Sequence, residues 1–138
     1  MNTLTLQQAQ SAVEYALDLA RHQYDHRPLS VAVCDASGEL LSFARMDKAK
    51  LLTIELTQRK ARTRSRLGCT TQAFLQRLQK EQLDISYFAD PGFTALPGGI
   101  PITRDGGCIG AVAIGGLSAT EDHDAALAVA AFLQQENK

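Results

Sequence analysis

Glu121 and Asp122 stand side by side immediately after Gly115-Gly116-Leu117-Ser118-Ala119-Thr120. Two neighbouring carboxylates can supply a general acid and a general base. In the first turn of a helix they also answer the positive end of the macrodipole, which accounts for them structurally. Arg59, Arg62 and Arg66 share one helical face by the three-and-four rule, as an anion site or as a solvated face near a helix C-terminus. Cys34, Cys69 and Cys108 are widely spaced, odd in number and form no CxxC pair, so neither a zinc site nor a disulfide framework is indicated. The histidines are His22, His26 and His123. Gly98-Gly99 and Gly115-Gly116 bracket two apolar runs. If those runs pair antiparallel, two backbone stretches without side chains meet where a flat ligand or a tight interface could approach. Turn formation is the alternative use of these glycines.

The elements that must position these groups follow from pattern. Ile100–Thr103 and Cys108–Ile114 flank Arg104-Asp105-Gly106-Gly107, and an Asp-Gly pair between apolar runs predicts a hairpin. Thr5 and Gln8 have capping-box spacing. They predict a helix from Leu6 to about Arg21–Gln23, burying Leu6, Ala9, Val13, Ala16, Leu17 and Ala20. Leu29–Cys34 and Glu39–Arg45 read as strands around the turn Asp35-Ala36-Ser37-Gly38. Lys50–Leu67 reads as a helix stopped by Gly68, and a further helix runs from Thr70 or Thr71 to about Lys80. A short strand is expected near Phe93–Ala95. Ser118 and Glu121 form a second capping box that opens a last helix to about Gln134, burying Ala125, Val129, Phe132 and Leu133. The predicted order is α-β-β-α-α-β-β-β-α, an antiparallel sheet packed by helices.

The chain of 138 residues suits one domain over 1–138, and its composition, 45% apolar and 21% charged, is ordinary for a globular protein. A net charge of −1 argues against nucleic acid or a membrane surface as a general partner. The first ten residues, MNTLTLQQAQ, carry no signal-peptide core, and no apolar run reaches 18 residues, so a reduced, cytoplasmic protein is expected.

The stretches VAVCDASGELLSFARMDKA, QRKARTR, PGFTALPGGIPI and GCIGAVAIGG, followed by Glu121-Asp122, together resemble the GlcG/HbpS heme-binding family. The chain is also similar to the C-terminal domain of PduO-type cobalamin adenosyltransferases. The likeness runs from about Thr5 to Phe132. It implies an α/β (α+β) fold, profilin-like, with a five-stranded antiparallel sheet flanked by helices, in a homo-oligomer built from dimers. It further implies binding of heme or a related tetrapyrrole, in sensing, storage or delivery, with a corrinoid ranked behind heme. Heme iron takes His, Cys, Met or Tyr as axial ligand. The resemblance points to a histidine in or near the first helix, which selects His22. Arg45 and Asp47 match the family's Arg-Met-Asp. Arg45 would pair a carboxylate in bidentate fashion, and Asp47 would contribute to the site or cap the next helix. Lys60 matches a Lys-Ala pair and so stands above its arginine neighbours as a pocket residue. Phe93, Gly98, Gly99, Pro101, Gly115 and Gly116 complete the implied ligand-binding set, with Glu121 and Asp122 as catalytic candidates. The alternative reading is an enzyme acting on a small carboxylate-bearing metabolite, with Arg45 and Lys60 holding the anion, or an accessory subunit of a metabolic operon. The apolar stretches Gly98–Pro101 and Gly110–Gly116, with Phe93, Leu96 and Ile100, are expected to form the subunit interface.

Overall fold

The computed structural model describes residues 3–136; the domain expected over 1–138 extends beyond them at both ends. Thr5 opens α1 (Leu6–Gln23) with both halves of the capping box formed. The Gln8 amide donates to Thr5 Oγ1 at 3.1 Å, and the Thr5 amide donates to Gln8 Oε1 at 3.0 Å. Ala9, Val13, Ala16 and Ala20 face inward as expected, but Leu6 is 54% exposed and Leu4 enters the core. β1 (Ser30–Asp35) and β2 (Leu40–Arg45) are joined by a turn in which the Asp35 carboxylate accepts from the Ser37 and Glu39 amides. α2 (Leu52–Leu67) ends at Gly68, whose left-handed backbone (φ +88°) lets its amide reach the Arg64 carbonyl. α3 (Thr71–Glu81) is capped by Thr70. A 3-10 turn follows at Ile85–Phe88. β3 (Gly99–Arg104) and β4 (Gly107–Gly115) form the hairpin around Asp105 and Gly106, both at positive φ, and α4 (Ala119–Glu136) closes the fold.

Among the described residues the sheet has four strands, all antiparallel, in the order β2-β1-β4-β3. This corrects the expected five. The segment Phe93–Ala95 is a loop because its amides are satisfied elsewhere. Phe93 N–H donates to the Asp90 carbonyl, and Thr94 N–H donates to Thr63 Oγ1 of α2 at 2.9 Å. Leu96 N–H turns back to Thr94 Oγ1, and Pro97 has no donor to offer a ladder.

The two faces of the sheet are built differently. Val31, Val33, Val112 and Ile114 face α1 and α4 in the main core. Ala32, Cys34, Ala111 and Ala113 face α2, so that helix lies close against the sheet. The approach is tight enough that a Cβ on Gly99 would strike the Lys60 carbonyl. β4 is a central strand with α2 over one face and α4 over the other. Gly110–Gly115 and Gly98–Ile100 are therefore buried within one chain, which corrects the expectation that they form an apolar outer surface. Among the described residues no helix is long and apolar enough to cross a membrane.

Candidate functional site

Antiparallel topology gathers many of the chemically interesting residues at one end of the sheet. Ser30, which begins β1, pairs with Arg45 at the end of β2 and with Gly115 at the end of β4. Gly99 opens β3 at the same end, opposite Ala113. The loop between α1 and β1 is tied to the first turn of α4 here by Arg27 and Glu121.

Lys60 occupies the interior of this end. It is 2% exposed, and its Nζ donates to the Ile114 carbonyl at 2.9 Å and to Asp122 Oδ2 at 3.0 Å. The other Asp122 oxygen accepts from the Leu117 amide at 2.9 Å, and the Asp122 amide donates to the Ser118 carbonyl. Burial pushes the Lys60 amine down, and the Asp122 charge opposes it. Burial pushes the Asp122 carboxyl up, and the Lys60 charge opposes that. Both groups are thus displaced towards their neutral forms.

Gly98, Gly99 and Gly115 give the room that Lys60 and its helix occupy. A Cβ on Gly98 would lie 3.0 Å from Lys60 Nζ, and one on Gly115 would strike Thr57 Oγ1. That Thr57 hydroxyl is buried and, among the described residues, has no hydrogen-bond partner. Thr53, Thr57, Lys60 and Arg64 form a polar stripe on the buried side of α2. A cleft of about 220 Å³ opens here, with Lys60 and Asp122 in its wall. Leu52, Leu56, Pro97 and Leu117 give it apolar sides, and Lys50 belongs to its lining.

Glu121 is placed differently from its neighbour. Arg27 donates to both its oxygens at 2.7 Å, and Ser118 completes the expected capping box. These bonds, Arg27 first, hold the carboxyl at about 2. Arg45 and Asp47 are exposed. Asp47 does not cap α2: Leu51 occupies the cap position, without a side-chain hydrogen bond. His22 is exposed in the last turn of α1, and His26 is exposed in the loop beyond it. His123 is half-buried on α4, with Nδ1 buried and unpaired among the described residues. None of the three lines the cleft. Phe93 packs edge-on to Phe74 of α3 with ring centroids 6.3 Å apart, and Pro101 lies in the edge strand β3.

Sequence reasoning brought Lys60 and Asp122 forward separately and missed that they pair. It also missed Arg27 and Thr57. Arg27 left no signal, since 94 residues separate it from Glu121. Thr57 could have been found from the polar residues recurring at positions 53, 57, 60 and 64, where a buried helix face is ordinarily apolar.

Compared with known proteins, residues 4–131 match the family model described as "Haem degrading protein HbpS-like". Over 92 residues the chain is 33% identical to Protein GlcG of Escherichia coli, covering 67% of each. The fold matches a crystal structure of a double mutant of HbpS from Streptomyces reticuli with a TM-score of 0.85 and 30% identity, over 96% of this chain and 88% of that one. It matches a crystal structure of a PduOC–heme complex with a TM-score of 0.82 and 26% identity, over 94% of both chains.

Proposed function

Since the chain belongs to the HbpS-like family, we propose that it is a cytoplasmic binding module for heme or a related tetrapyrrole, acting in its sensing, storage or delivery. One observation carries this reading: PduOC, matched over 94% of both chains, was crystallised with heme. The residues present suit such a ligand. His22 has an exposed imidazole, a suitable axial donor to heme iron. Arg45, exposed at the end of β2, suits a propionate. Bound heme would supply an iron centre for ligand exchange or electron transfer. His22 lies outside the cleft, and the cleft of about 220 Å³ is smaller than the ~300–1,000 Å³ of typical small-molecule sites, so a macrocycle that uses both needs a second protomer to enclose it. The working form in this reading is a closed homo-oligomer built from dimers.

Hemin titration tests the proposal. Saturable binding at one heme per protomer or per dimer, with a sharp Soret band, supports it; a broad, unsaturable change overturns it. His22→Ala is expected to shift the Soret band and weaken binding. An unchanged spectrum and affinity would remove His22 as the iron ligand. A second reading, an enzyme acting on a small carboxylate-bearing metabolite, draws on the buried Lys60–Asp122 pair in the cleft wall.

A further inference from the structure

In the heme reading Lys60 and Asp122 do no more than form part of the cleft wall, and the chemistry of the pair is not drawn on. A pair that served only to staple α2 to α4 would need no cleft beside it, yet both partners line one. The apolar side chains of Leu52, Leu56, Pro97 and Leu117 line the same cleft. Thr57 Oγ1 is packed against Gly115, and a Cβ on Gly115 would also lie 3.8 Å from Lys60 Nζ. The amine and an unpartnered buried hydroxyl therefore meet the same glycine. We propose that Lys60 is the reactive amine of an imine-forming site for a small aldehyde or 2-oxo acid, with Asp122 carrying the proton.

The step balances within the pair. The Lys60 ammonium first gives a proton to Asp122 across 3.0 Å, leaving a neutral amine and a carboxylic acid. The nitrogen lone pair adds to the carbonyl carbon, the C=O π electrons move to oxygen, and Asp122 protonates that oxygen. Asp122 takes a proton from nitrogen and returns it to the hydroxyl, which leaves as water while the C=N bond forms. The products are an iminium on Lys60, an Asp122 carboxylate facing it, and one water, with no oxidation or reduction. Thr57 lies behind the cleft wall, against Gly115, and takes no part in the step. Lys50, in the cleft lining, offers a cation for the carboxylate of a 2-oxo acid. The cleft of about 220 Å³ within one chain suits a small substrate.

The test traps the imine on the native, full-length protein with glyoxylate and sodium cyanoborohydride, followed by peptide mapping. Denatured protein treated in parallel gives the intrinsic reactivity of each lysine. The expected result is a native-to-denatured labelling ratio at Lys60 that exceeds those of exposed Lys48 and Lys80 by at least about tenfold, the factor that 1.4 kcal/mol gives. Labelling of those exposed lysines with Lys60 unmodified would overturn the proposal. Asp122→Asn is expected to slow trapping at Lys60 while leaving labelling of Lys80 unchanged; equal rates at Lys60 in both proteins would remove Asp122 from its role. The mapping of the unaltered protein stands whether or not that variant folds, and it is independent of the hemin titration.

Discussion

Glu121 and Asp122 are neighbours in the chain, yet their surroundings drive their titration in opposite directions. Arg27 holds Glu121 at about 2, so it stays ionised through the neutral range and has no proton to offer there. Burial drives Asp122 upwards, against the attraction of Lys60. Environments that separate two carboxyls in this way divide fixed charge from proton carrier. Lys60 and Asp122 are 2% and 4% exposed, so removing one partner strands a charge in the interior. Lys60→Met is expected to lower the unfolding free energy by about 3–5 kcal/mol, and the double variant Lys60→Met, Asp122→Leu to recover most of that loss. Urea denaturation of the two variants reads this directly. A double variant as unstable as the single one would mean that the amine's bond to the Ile114 carbonyl, rather than the ion pair, holds this end together.

α2 is the element on which the site depends. Its inward face is polar, with Thr53, Thr57, Lys60 and Arg64 buried, and two leucines at its start, Leu51 and Leu52, are left outside. Most of the elements were legible in the sequence because their signals are local. The Thr5–Gln8 and Ser118–Glu121 boxes, Gly68 and the Asp105-Gly106 turn fixed helix and hairpin ends to within a few residues. The false strand at Phe93–Ala95 and the missed Lys60–Asp122 pair have one cause. Both depend on what α2 presents to distant segments, and local pattern does not carry that information. The same closeness of α2 gives a contrast between glycines. Gly99→Ala would drive a Cβ into the Lys60 backbone carbonyl and is expected to cost about 1–3 kcal/mol. Gly107→Ala meets only the Arg104 carbonyl at 3.7 Å and is expected to be neutral, or stabilising by up to about 1 kcal/mol through the unfolded chain. Thermal or urea unfolding of the pair checks the ordering. Equal losses would show that α2 yields easily and that the glycines are not what seats it.

At the scale of the whole molecule, the reason to expect self-association has moved from glycines to leucines. The stretches Gly98–Ile100 and Gly110–Gly115 are covered by the chain's own helices, so they provide no outer patch. Leu51, Leu52 and Leu96 are 76%, 69% and 47% exposed, and two of them line the cleft. Large apolar side chains left in water around a cleft mark a contact surface. Covering each leucine fully is worth about 1.5–3 kcal/mol, and a two-fold contact gains that on both protomers. The sheet ends on β3 at one side, where Pro101 lacks an amide donor, so extension of strands into an open fibre is blunted at that edge. A closed assembly centred on the leucines satisfies both conditions, and it would place a second chain beside the cleft, where a tetrapyrrole needs more wall than one chain supplies. Light scattering at micromolar concentration, with and without hemin, is expected to give a multiple of the 14.9 kDa chain mass. The paired substitution Leu51→Glu, Leu52→Glu is expected to return the protein to single chains and to weaken hemin binding in step, since a ligand shared between protomers is linked to their association. A mass of 14.9 kDa for the unaltered protein under both conditions would remove the shared-ligand interface, and leucine variants that keep both the assembly and the hemin affinity would place the interface elsewhere.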